Sequence, residues 1–265
     1  MNLAKKPTTP KADSAPSKPK GKSKAPVPTP TPTAPTPKKR GLFSFMWRWA
    51  FLPCIIVLLS FHLLVAGLLG VWKVAPVTNS MFMLSHRLSG GDVSQSWVAA
   101  DKIAKSAKQA AIASEDARFT MHNGFDMKSI ELALKANEKA GAVSMGGSTI
   151  SQQLAKNLFL TSHRSYIRKA EEAVITVMIE KMWDKQRILT VYLNVAEFGE
   201  GIYGIEAAAQ HYYNKTAQNL SREESALLIS MLPNPKYYQK NRSAKRLRNK
   251  QRIILQRMSH ATLPN

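Results

Sequence analysis

The sequence predicts a mainly α-helical domain, residues 78–265, carried behind one N-terminal transmembrane helix. Three observations predict it. Residues 49–72 are almost continuously apolar, and at about 1.5 Å per residue such a run crosses a hydrocarbon core of roughly 30 Å. Beyond it, apolar residues recur three and four apart in segment after segment, the spacing of helices that bury one face. Alternating apolar and polar runs joined by tight turns, the mark of hairpins, are not legible.

Residues 1–40 are mostly Pro, Lys, Thr, Ser and Ala, with no large apolar residue beyond Leu3 and Val27. They cannot bury enough surface to offset the entropy of ordering and read as a disordered, basic cytoplasmic tail. Runs such as Pro28-Thr29-Pro30-Thr31-Pro32 favour extended, polyproline-like conformations. The span at 49–72 follows, with Ser60 and His62 its strongly polar interruptions and Trp47, Trp49 and Trp72 at its ends, where indoles settle at a membrane interface. Lys38, Lys39, Arg40 and Arg48 precede the apolar run, and only Lys73 and Arg87 follow before residue 100. The tail is therefore expected in the cytoplasm and the domain on the periplasmic or outer side of the inner membrane. A cleaved signal peptide would carry a shorter basic region and a shorter apolar core. For His62, spacing does not separate a lipid-facing oddity from a partner contact.

Within the domain, Ala99–Ser114 predicts a helix with Ile103, Ala107, Ala110 and Ala111 on one face, stopping at Glu115-Asp116. Residues 127–140 predict a second, ended by Gly141. Ser148 and Thr149 cap a third, with Ile150, Leu154 and Leu158 on one stripe. Ser165–Trp183 predicts a fourth, whose centre, Ala173 to Ile179, is apolar all round and so expected to be buried. Lys185–Glu197 and Ile205–Tyr213 continue the pattern. Ser221-Arg222-Glu223-Glu224 is a capping-box start for a helix closing at Pro233-Asn234-Pro235.

Lys and Arg number 38 against 17 Asp and Glu, a formal charge of +21. Solubility needs far less, so the charge points to a polyanionic partner: nucleic acid, an anionic membrane surface or a phosphorylated substrate. The single cysteine, Cys54, lies in the apolar run, which excludes an intramolecular disulfide framework and a Cys-based zinc site. The six histidines are too far apart in sequence for a local ligand pattern, and no metal is read from their spacing.

Three segments carry chemistry. In Glu115-Asp116-x-x-Phe119-x-x-His122-x-Gly124 an acid pair ends a helix and leads into a turn, which puts a carboxylate at the edge of a cleft beside apolar Phe119. In Gly146-Gly147-Ser148-Thr149 a glycine-rich turn enters a helix start, where free backbone N–H groups bind anions. Gln152, Gln153, Lys156 and Asn157 follow within two turns and exceed what a plain capped helix requires. Arg164, Arg168 and Glu172 are successive i,i+4 neighbours, with Lys169 three before Glu172, so one helix face gathers three cations around a carboxylate that directly precedes an apolar stretch.

These segments, followed by Arg187-Ile188-Leu189-x-x-Tyr192-Leu193-Asn194 and by Glu224 through Leu227 to Pro233-x-Pro235, resemble the five-motif signature of the peptidoglycan glycosyltransferases over about residues 97–240. These occur as single-domain membrane enzymes and as the first domain of bifunctional penicillin-binding proteins. Ser151 stands where the family often has Thr, and Tyr213 where Phe is common. No Lys-Thr-Gly triplet follows, so transpeptidase activity is not expected.

The resemblance implies a lysozyme-like helical glycosyltransferase domain. It implies polymerisation of lipid II, a disaccharide-pentapeptide on a pyrophosphate-linked polyprenyl anchor, into glycan strands with inversion and release of polyprenyl diphosphate. It implies that Glu115 is the general base toward the acceptor 4-hydroxyl, and that Lys156, Arg164, Arg168 and Lys169 hold the diphosphate. Glu172, the second catalytic carboxylate, would orient those cations or hold a divalent ion, Mg or Mn, against the diphosphate. Asp116, Ser148, Gln152, Gln153 and Asn157 complete the substrate-binding set it implies. Its implied partners are lipid II, the growing strand, the membrane in a single pass, and cell-wall synthesis or division proteins, without nucleic acid. A membrane-anchored lytic muramidase and a non-enzymatic basic cell-wall adaptor are the alternatives.

Overall fold

The computed structural model describes residues 41–141, 146–163 and 165–264. The tail, residues 1–40, and Arg164 lie outside the described residues. The chain divides into residues 1–50 and 51–265. Of the first unit the described part is helical, and the second contains the domain.

Helix α1 (Gly41–Val71) contains Pro53, a residue that costs a backbone hydrogen bond but is tolerated in membrane helices. Residues 51–71 have a mean hydropathy of 2.6 and form the one helix, among the described residues, long and apolar enough to cross a membrane. Ile55 to Leu59 are exposed on every side, whereas Val65 and Leu69 are buried against the domain. The end of α1 is tied down by polar bonds as well. Trp183 Nε1 donates to the Leu69 carbonyl at 2.8 Å, and the Arg187 guanidinium donates to the carbonyls of Trp72 and Ala75.

The domain is mainly α-helical, as the periodicity predicts. Helix α2 (Met81–Leu88), capped by Ser80, is too short for a periodic signal and was not anticipated from the sequence. The helix expected from Ala99 begins instead with a 3₁₀ turn, Ala100–Lys102, and breaks before α3 (Lys105–Glu115). At the break the Ala104 N–H leaves the helical ladder for the carbonyl of Ala217, 3.1 Å away. Helix α4 (Met127–Ala140) starts at Asp126 and ends at Gly141 with φ +61°, a left-handed stop that glycine adopts without strain.

Helices α5 (Ile150–Phe159), α6 (Tyr166–Met182) and α7 (Lys185–Val195) pack together. Helix α8 (Ile205–Tyr213) leads on to α9 (Arg222–Met231), α10 (Pro235–Lys240) and α11 (Lys245–Arg257). α3, α9 and α11 form a second packed group. α7 is the central helix, buried from Ile188 to Val195. Its Asn194 exchanges two hydrogen bonds with the backbone of Val98, at 2.8 and 2.9 Å, and so holds the segment that leads toward α3.

Two expectations fail. The fourth helix is not buried on all sides: Ile175 and Ile179 are in the core, but Val174 and Val177 on the other face are exposed. An all-round apolar helix has two environments available to it, core and lipid, and composition alone does not distinguish them. A small sheet is also present, where no hairpin was legible. Its order is β1 (Ser94–Gln95), β3 (Ile202–Tyr203), β2 (Glu197–Gly199), with β1 parallel and β2 antiparallel to β3. Strands of two and three residues are too short to show alternation, and β2 takes Glu197 away from the end of the helix predicted over 185–197.

Candidate active site

Glu115 is the last residue of α3, where the helix gives way to an extended Asp116. Its carboxylate accepts from Ser114 Oγ at 2.6 Å, from Gln153 Nε2 at 3.1 Å and from Lys250 Nζ at 3.0 Å. The phenol of Tyr192, in the buried α7, donates to Gln153 Oε1 at 3.1 Å. That bond fixes which end of the Gln153 amide faces Glu115. Burial, and then the nearby charges of Glu115 and Asp116, push the Tyr192 phenol well above its usual pKa, so it stays a donor. Glu115 opens on a cleft of about 630 Å³ lined also by Ser148, Gln153, Asn234, Arg246 and Lys250.

Gln153 is in reach because the start of α5 is fastened to the turn after Glu115. Asp116 accepts from the Ile150 N–H at 3.1 Å and pairs with His122 Nε2 at 2.8 Å. Thr149 Oγ1 donates to the Gly124 carbonyl at 2.6 Å, and Thr149 and Gln152 form a reciprocal capping box. Gly124 has φ +92°, and a Cβ there would meet Thr176 Cγ2 of α6 at 2.7 Å. The glycine is thus required twice, by its backbone conformation and by the approach of α6. Asp116 is buried with both oxygens engaged inside the fold, and the Gln152 side-chain oxygen is consumed by the cap. Both positions thus help to build the turn, and Gln152 also lines a small pocket with Ser148 and Lys169.

The second carboxylate is differently placed. On α6, Arg168 Nη1 donates to Glu172 Oε2 at 2.7 Å, and Lys169 Nζ donates to Oε1. Lys169 Nζ also reaches Ser148 Oγ at 3.5 Å. Lys156, one turn beyond Gln152 on α5, is held below the usual lysine pKa, foremost by burial, with Glu172 opposing and Arg168 and Lys169 adding to the depression. Its ammonium lies 5.7 Å from the centre of the Phe82 ring. Asn157 is buried next to it on α5. Three cations and one carboxylate thus form one cluster, with Ser148 linking it to the Glu115 cleft. Arg164, the fourth cation of the expected set, lies outside the described residues.

A divalent ion finds a poor seat in this arrangement. Both oxygens of Glu172 are engaged by cations, and the cations around it repel a dication. No step below is routed through a metal. Among the described residues, ligand atoms of Asp116, His122 and Asp126 lie within 4.8 Å of one another, a convergence that sequence spacing did not reveal. Asp116 is spent on His122 and Ile150, and Asp126 on Ser129 and Arg118.

The family model described as Transglycosylase matches residues 83–259. The chain belongs to the transglycosylase family. A biosynthetic peptidoglycan transglycosylase of Acinetobacter baylyi is 47% identical over 216 residues, covering 79% of this chain and 96% of that protein. One from Dechloromonas aromatica is 52% identical over 181 residues, 68% of this chain and 78% of its own. One from Chromobacterium violaceum is 47% identical over 212 residues, 78% and 93% respectively. The transglycosylase domain is a lysozyme-like helical fold, in agreement with the architecture above.

For a transglycosylase, the sequence located Glu115, Gln153, Ser148, Lys156, Arg168, Lys169 and Glu172, and the structure gathers them around one cleft and its neighbouring cation cluster. It missed Lys250, Arg246 and the orienting role of Tyr192. From sequence alone Lys250, in a basic C-terminal segment, reads as part of a general basic surface; in the structure it is an ion-pair partner of Glu115. Phe119, expected beside the carboxylate at the edge of the cleft, is fully buried, with the Lys185 ammonium 4.6 Å from its ring centre.

Proposed function

We propose that this transglycosylase polymerises lipid II into glycan strands. Glu115 takes the proton of the acceptor 4-hydroxyl as that oxygen bonds to the donor's anomeric carbon. The bond from that carbon to the diphosphate oxygen breaks on the opposite side, giving inversion, and polyprenyl diphosphate leaves with the bonding electrons. Lys156, Arg168 and Lys169 neutralise the leaving diphosphate, so no acid need protonate it. Glu172 keeps Arg168 and Lys169 aimed.

The observation that carries this reading is the division of labour between two carboxylates. Glu115 lines an open cleft and has a cation on one oxygen and a neutral amide on the other, whereas both oxygens of Glu172 are held by cations. A muramidase acting on finished wall releases no diphosphate and would have no use for the cation cluster. A basic adaptor would have no use for the Tyr192–Gln153–Glu115 relay.

The membrane part of the reading rests on α1 as a single-pass anchor, with the tail cytoplasmic and the domain on the outer side. Exposed Leu132 and Leu134 on α4, and Tyr166, Ile167, Val174 and Val177 on α6, support a domain that works against lipid. Read from sequence, Met81 to Leu84 and Ile130 to Leu134 are the apolar candidates for this role. Leu84 is exposed, but Met83 is fully buried in the core. Incubating the full chain with labelled lipid II tests the reading: polymer that a muramidase can digest is expected, and its absence under conditions that preserve the fold would overturn it.

A further inference from the structure

Nothing in the proposed chemistry uses His62 or Glu171, yet the fold brings them together across the anchor. His62 Nδ1 lies 2.8 Å from the carbonyl of Leu58, so that nitrogen carries a proton and donates. Its Nε2 lies 3.2 Å from Glu171 Oε2 on α6. Both of these atoms are buried, and apart from this ion-pair contact neither has a hydrogen-bond partner among the described residues.

Beyond His62, the face of α1 packed on the domain is apolar. Val65 and Leu69 are buried along it, and Phe61 and Leu68 pack on the same core. Apolar side chains alone tolerate sliding or rotation of one helix on another. A buried polar pair does not, because other registers leave two polar groups unpaired in a medium that cannot solvate them. Glu171 precedes Glu172 in sequence, and Arg168 and Lys169 lie within the preceding turn of α6. The setting of α6 against α1 therefore sets the depth of the cation cluster.

We propose that His62 and Glu171 are positioning residues, whose pairing locks the anchor helix to α6 in one register and holds the diphosphate-binding cations at one depth relative to the bilayer. The inference rests on the polymerase reading and on α1 as a membrane span. It assigns the pair no contact with substrate.

The test uses the full chain in lipid vesicles, with His62→Leu, Glu171→Gln, the double variant, and the exchange His62→Glu with Glu171→His. Each variant is assayed on long-chain lipid II in vesicles and on a short-chain, detergent-dispersed analogue, and the hydrogen exchange of α6 amides is followed in the membrane-bound protein. Each single variant is expected to lose about fivefold to tenfold in kcat/KM on the vesicle substrate, with little change on the short-chain analogue and faster exchange in α6. The double variant should be no worse than either single, and the exchange should restore part of the loss. Additive losses, equal losses on both substrates, or unchanged rates with unchanged exchange would each overturn the proposal. A wild-type chain that makes no polymer would overturn the polymerase reading instead, while the exchange measurement would still report on the pair.

Discussion

Glu115 and Glu172 carry the same carboxylate on two helices, and both are largely hidden, with 12% and 4% of their side-chain surface exposed. Their partners differ in origin. The Glu172 cations come from its own helix, three and four residues earlier. Gln153 and Lys250 reach Glu115 from 38 and 135 residues away. A local cluster forms as soon as its helix forms, and it serves to aim charge. A carboxylate assembled from distant helices is positioned by the whole fold, which suits a group that must meet a substrate proton at hydrogen-bonding distance.

The largest effect expected from this contrast is at Glu115. Glu115→Gln should lower polymerisation by about 10² to 10⁴ while leaving Tm near the wild-type value, since general-base catalysis contributes on that order. Retained activity in a folded variant would remove the base assignment. Glu172→Gln should cost less in rate but more in stability. It leaves Arg168 and Lys169 without their counter-charge, at about 1–3 kcal/mol once the solvent exposure of Lys169 is allowed for. A thermal melt checks this: if Glu172→Gln melted like wild type while Glu115→Gln did not, the roles would be reversed.

A third variant sharpens the non-local half of the comparison. Lys250→Ala should lower kcat by about tenfold through loss of one charge-assisted hydrogen bond, whereas Arg252→Ala, on the exposed side of the same helix, should leave kcat unchanged. Equal effects would return Lys250 to a general basic surface. The smallest effect lies in the pH profile. Because the Lys156 pKa is depressed below 10.5, chiefly by burial, the ammonium is lost earlier as pH rises, and donor binding should weaken with it. Lys156→Arg stays charged and should move the alkaline limb of kcat/KM to higher pH. For stability the sign is opposite. The folded chain binds this proton less tightly than the unfolded chain, so the Lys156 contribution grows as pH rises through the folded pKa toward 10.5.

The same contrast explains what could be read from the chain. Arg168, Lys169 and Glu172 were legible because helical spacing alone makes them neighbours. Gln153 was legible as a residue type on a capped helix, but the Tyr192 bond that orients it joins two helices whose packing no local pattern encodes. Lys250 was misplaced because a basic C-terminal helix looks alike whether its lysines face water or a carboxylate. Asp116 and Gln152 have a structural use that their residue types do not announce. Their polar side chains are consumed by the turn and the cap that make the site possible, and a sequence does not state which polar groups will be used up by folding. The exposure of Val174 and Val177 was hidden for a related reason, since core and bilayer select the same residues.

The contact between Lys250 and Glu115 has a consequence for timing. A chain is made from its N-terminus, so Glu115, Gln153 and Tyr192 all exist while residue 250 is still to be added. Until the last basic helix has been synthesised and has folded back onto α3 and α9, the base lacks one of its three donors and the cleft lacks the wall that carries Arg246. A partly made chain therefore holds an unfinished site, without Lys250 or Arg246.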